Sequence, residues 1–132
     1  MTKKLFLDDF RQPKDAVYLV KDNVRIYFED DWVVVKNYKE FISWIKRNGV
    51  PSFISFDHDL VDEHYNIDFK DWEIYTSEDL RVEETGLDCA KWLVEWCLDT
   101  GFDLPDYQVH SANPVGRKII KEFLDNARKN IF

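Results

Sequence analysis

The sequence predicts an α/β protein: a layered sandwich of helices around a mainly parallel sheet of order 2-1-3-4. Three observations predict it. Four short apolar segments, at 4–7, 32–36, 52–56 and 107–110, have the length and the aromatic or β-branched content of strands. Helical patterns of period 3.6 follow the second, third and fourth of them, and strands alternating with helices make parallel sheets. Polar and charged residues gather directly after the strands, at the edge where such sheets bind ligands. The length, 132 residues, suits one domain, so residues 1–132 are read as a single unit.

Lys4 to Leu7 is the first strand, closed by Asp8-Asp9 and broken by Arg11-Gln12-Pro13. Residues 14–31 are ambiguous; "NVRIYF" suits a strand or part of a hairpin. Trp32 to Lys36, "WVVVK", is the second strand. Asn37 suits the cap of a helix from Tyr38 to about Arg47, with Phe41, Ile42 and Ile45 as its apolar stripe. Asn48-Gly49 ends it and Pro51 follows. Ser52 to Phe56 is nearly all apolar, as a central parallel strand requires.

Residues 61–85 are acidic, aromatic and without period, and a connection this long reads as a lid or insertion. Thr85 and Asp88 fit a capping box before a helix from Gly86 to about Asp99, with Leu87, Ala90, Leu93, Val94 and Cys97 inward. Tyr107 to His110 is the fourth strand. Asn113 and Pro114 open the last helix, which runs to about Arg128 with Ile119, Ile120, Phe123 and Leu124 inward.

The net charge of −8 disfavours a partner of duplex DNA, whose binding rests on neutralising phosphates with Lys and Arg. It leaves room for a small anionic ligand held by local cations, and for a divalent ion among the carboxylates. No signal peptide and no membrane-spanning run is visible, so a cytoplasmic chain is expected. Cys89 and Cys97 stand eight apart on one helix, about 12 Å of rise, too far for a disulfide with each other.

Three strand ends deliver chemistry to one edge. The first brings Asp8 and Asp9, which repel unless a cation sits between them; Arg11 is near enough in sequence, and an Asp9–Arg11 pair is the structural alternative. Asp8, Asp9 and Asp57 together would suit Mg²⁺ or Mn²⁺. The third strand ends in "DHDL", with Asp57, His58 and Asp59; alternation sends His58 opposite to its neighbours, so the strand is expected to stop at Asp57. The fourth brings His110, which with His58 makes an acid–base pair, since imidazole exchanges protons near neutral pH. Ser111, Asn113, the N–H groups of the last helix and Arg117 suit phosphate oxygens, and Arg11 joins them from the first strand.

"LFLDDFRQP", "WVVVKNYKEF", "FISFDHDL", "TGLDCAKWL" and "VHSANPVG" together resemble the cyclic-phosphate-processing receiver-like domains, small bacterial and phage relatives of the response-regulator receiver. The resemblance implies the flavodoxin-like fold and action on cyclic phosphates of nucleotides or RNA ends. By position, Asp8 and Asp9 match the receiver's acidic pair, Asp57 its phosphoacceptor and Ser111 its hydroxyl residue. His58, His110 and Asn113 are what the cyclic-phosphate group adds. A receiver's fifth strand, with its Lys, has no counterpart here, which argues against aspartyl-phosphate signalling.

Two functions follow as expectations. One is a phosphoesterase that opens a cyclic phosphate, with His58 and His110 as acid and base, Asp57 or Asp59 orienting an imidazole, and Ser111, Asn113, Arg117 and Arg11 binding phosphate. The other is a receiver-like module that binds a nucleotide or protein without turnover.

Overall fold

The computed structural model describes residues 3–20, 23–57 and 86–132. The expected lid at 61–85, together with His58 and Asp59, lies outside the described residues.

Among the described residues four strands form one parallel sheet: β1 (Lys4–Leu7), β2 (Trp32–Val35), β3 (Phe53–Phe56) and β4 (Asp106–Val109), in the order β2-β1-β3-β4. Among the described residues three α-helices accompany it: α1 (Tyr38–Asn48), α2 (Gly86–Thr100) and α3 (Pro114–Asn130). Asn37 caps α1 by accepting the Glu40 N–H at 2.9 Å, and Gly49 leaves it at a φ of 89°, which costs glycine little.

The strand order determines the layers. From β1 the chain steps one way along the sheet to β2, whereas the steps to β3 and β4 run the other way. Right-handed crossovers then put the first connection on one face and the later ones on the opposite face. All three helices accordingly pack on one side, over Leu5, Leu7, Ile54, Phe56 and Val109. The β1–β2 connection covers the other side, where Phe6 meets Ala16 and Tyr27.

That connection corrects the reading of "NVRIYF" as strand or hairpin. Pro13–Tyr18 and Val24–Phe28 are both 3₁₀-helices. With three residues per turn, Val24 and Tyr27 point the same way, and Tyr27 is fully enclosed. The Trp32 indole N–H donates to the Ile26 carbonyl at 2.7 Å and ties this layer to β2. A second correction concerns α3. Ile120, Leu124 and Ala127 form its buried face, whereas Ile119, about 100° round the helix from Ile120, is 43% exposed. In α2, Cys89 and Cys97 are both buried and are not joined in a disulfide.

Candidate functional site

Parallel strands end together, so β1, β3 and β4 bring Asp8, Asp57 and His110 side by side. Backbone bonds continue just past each strand: Asp8 N–H to the Val35 carbonyl, Asp57 N–H to Leu7 and His110 N–H to Phe56. One ligand atom from each of Asp8, Asp57 and His110 lies within 4.8 Å of the others, and all three residues are buried.

The Asp8 carboxylate is the hub. Its Oδ1 accepts the N–H groups of Phe10 and Arg11, both at 3.0 Å. Its Oδ2 receives Arg11 Nη1 at 3.2 Å and His110 Nε2 at 3.0 Å. Burial alone would raise this carboxyl; the hydrogen bond from His110 and those from the two backbone N–H groups outweigh it and hold it down at about 2. Arg11 also reaches within 3.9 Å of Asp57 Oδ2, so one guanidinium faces two buried carboxylates. Arginine keeps its charge where lysine can lose it, and its flat fork stacks on Phe10 at 4.5 Å.

His110 is fully enclosed. Phe6 stacks on its ring at 4.3 Å, and Nδ1 lies 2.7 Å from Ser55 Oγ. Ser55 Oγ is 2.8 Å from Tyr27 Oη, which lies 3.0 Å from Gln108 Oε1. A hydrogen-bonded line thus runs from Gln108 through Tyr27, Ser55 and His110 to Asp8. Its four contacts need four protons, and the two hydroxyls and a neutral imidazole carry three. An imidazolium supplies the fourth; so does the Gln108 amide if it is turned to donate. Burial lowers the His110 pKa more than the hydrogen bond and charge of Asp8 restore it.

The structure therefore redraws several expectations. Arg11 pairs with Asp8 where the sequence suggested Asp9. The third member of the acidic cluster is His110, and Asp9, half-buried, stands outside it. His110 does not reach the surface of the crevice, since both its nitrogens are engaged inside the protein. The Asn113 carboxamide oxygen accepts from Val115 and Gly116, each at 3.1 Å, so the residue is a helix cap. Ser111 is buried, and its Oγ accepts the Asn113 N–H at 3.1 Å. Arg117 Nη1 donates to the Ser111 carbonyl at 3.4 Å, bringing a second guanidinium to the edge.

Ser55, Tyr27 and Gln108 were not singled out in the sequence. The signal was there: Ser55 interrupts the apolar run "FISF", and its register partner on β4 is Gln108. Two polar residues facing each other across parallel strands need a common partner when buried.

Asp8, Asp57 and His110 are close enough to share a divalent ion, which would compete with Arg11 for the two carboxylates. All four acceptor positions of Asp8 are taken, and Arg11 already supplies the positive charge between Asp8 and Asp57. A metal would have to displace the guanidinium.

Among known families, the cyclic-phosphate processing receiver domain matches residues 3–126 of the chain. No curated protein matches it.

Proposed function

Given that the chain belongs to the cyclic-phosphate-processing receiver family, we propose that it is a phosphoesterase acting on cyclic phosphates of nucleotides or RNA ends. The observation that carries this is the strand-end cluster, where the Arg11 guanidinium faces a buried carboxylate pair fixed from behind by His110, with Arg117 held on the Ser111 carbonyl just past β4.

In this reading the guanidiniums bind the non-bridging oxygens of the phosphate, where charge grows in the transition state. Water attacks phosphorus, one ester P–O bond breaks, and the ring opens to a monoester. The proton of the water passes to a base, and the leaving oxygen takes one from an acid. His58, next to Asp57 in sequence, is the imidazole assigned as base, and a solvent water supplies the proton to the leaving oxygen. His110 acts as a positioning residue: it keeps Asp8 ionised, and Asp8 keeps Arg11 in place. Arg11 then does the charge work that Mg²⁺ or Mn²⁺ was expected to do.

The deep burial of Ser111, Asp57 and His110 favours a second reading, a module that holds a cyclic phosphate without turning it over. Incubation with 2′,3′-cyclic nucleotides and a cyclic-ended RNA separates the two. Monoester formation by the wild type, lost in His58→Ala, is the expected result; saturable binding with no product leaves the module reading in its place.

A further inference from the structure

Among the described residues β4 is an edge strand of the sheet. Beside it runs a groove of about 580 Å³, between the two layers that cover the sheet. One wall is the 3₁₀ layer, with Leu19 and Val20. The other is α3, with Arg117, Lys118 and Lys121; the strand itself contributes Gln108 to the floor. The chain carries a net charge of −8, yet this wall presents three cations within about 6 Å of helix rise. Arg117 belongs both to the groove and to the strand-end site, so the groove leads away from the place assigned to the phosphate.

We propose that this groove holds the backbone of a single-stranded RNA whose cyclic end occupies the strand-end site, which makes a polymer rather than a free nucleotide the preferred substrate class. The inference rests on the cyclic-phosphate reading and narrows it. Charge complementarity favours a polyanion over a peptide strand adding to β4, because the strand is only four residues long and offers few backbone bonds. Lys118 and Lys121 are 76% and 67% exposed, and their pairs with Glu122 and Asp125 are surface pairs that exchange readily for phosphate. The apolar wall of Leu19 and Val20 offers the faces of bases a surface to bury against, whatever their sequence.

The test uses a short labelled oligouridylate with a plain 3′-hydroxyl, a strand the protein cannot turn over. Its binding is read by fluorescence anisotropy across a salt series. Wild type should bind with a log–log salt slope of about −2, at about −0.7 for each of three phosphates. Lys118→Glu with Lys121→Glu should weaken binding at least about tenfold, and Lys118→Gln with Lys121→Gln by less. Both pairs of changes are at exposed positions, and circular dichroism checks the fold. Turnover of a 2′,3′-cyclic mononucleotide should be the same in wild type and variants. Equal oligonucleotide affinity in wild type and the Glu variant overturns the groove, as does equally tight binding of a polyglutamate peptide. Absence of cyclic-phosphate turnover would sink the enzymatic reading, while the groove is still judged by the unreactive strand.

Discussion

The two faces of the sheet are built from alternate residues of the same four strands, and they do opposite things. Under α1, α2 and α3 the face is hydrocarbon: Leu5, Leu7, Ile54 and Phe56 meet Phe41, Ile45, Leu93, Ile120 and Leu124. Under the 3₁₀ layer the neighbouring residues are Phe6, Ser55 and Gln108, and the contacts are stacked rings and hydrogen bonds. The first face holds the chain together. The second carries a line of hydrogen bonds from Tyr27 at the centre to Asp8 at the strand ends. Stability and site geometry are thus assigned to separate sides of one sheet.

The sharpest way to break this comparison is to cut into each face in turn. Leu93→Ala, in the hydrocarbon layer, should lower unfolding free energy by about 2–5 kcal/mol, because it leaves a cavity. Activity per folded molecule should not change. Denaturant melts paired with turnover measure both, and a Leu93→Ala protein that is stable but inactive would contradict the separation.

A smaller effect is expected on the polar face. Tyr27→Phe keeps the ring and removes the hydroxyl between Ser55 and Gln108, so it should cost about 1–3 kcal/mol for the buried polar groups left without it. Tyr107→Phe is the control. Its hydroxyl donates to Asp125 at 2.5 Å at an exposed position, and its loss should cost less than about 1 kcal/mol. Similar costs for the two changes would mean that the buried line carries no special load.

The smallest effect is a slope with pH. His110 has its pKa lowered in the fold by burial, so the unfolded chain takes up a proton near pH 6.5 that the folded chain resists. Stability should therefore fall as pH drops below about 6.5. Asp8 adds a second loss further down, between its ordinary value of 3.8 and about 2, where the folded carboxyl finally protonates. Melting temperatures from pH 8 to 5 should decline in wild type and flatten in His110→Gln. A wild-type curve that rises over that range would mean the ring is held charged.

The same comparison explains what was legible in the sequence. The hydrocarbon face announces itself by period: Phe41, Ile45, Leu93, Val94 and Leu124 recur at helical spacing, and the strands they cover are short apolar runs. Sheet order and strand ends follow from those patterns together with the family resemblance, and Asp8, Asp57 and His110 were found because each sits one residue past a strand. What the pattern could not give was the other face. A 3₁₀ turn such as Val24–Phe28 repeats every three residues over only five, too few to tell from a strand's alternation. The partners of Tyr27 lie 28 and 81 residues away, so its role depends on the folded chain. The readings of Arg11 and His110 changed for a related reason: sequence placed them at the right edge, and only the fold decides that one caps Asp8 from outside and the other from within.

The central claim is that Arg11, held by Asp8, supplies the positive charge at a cyclic-phosphate-opening site. ³¹P NMR of a 2′,3′-cyclic nucleotide incubated with wild type and with Arg11→Gln, in excess EDTA, tests it most directly. Wild type should convert the cyclic resonance to a monoester in EDTA at the same rate as without it. Arg11→Gln, checked by its melting curve to be folded, should be slower by at least about a hundredfold, as expected for removing a charge from the transition state. Turnover that stops in EDTA and returns with Mg²⁺, or an Arg11→Gln protein as fast as wild type, would contradict the account.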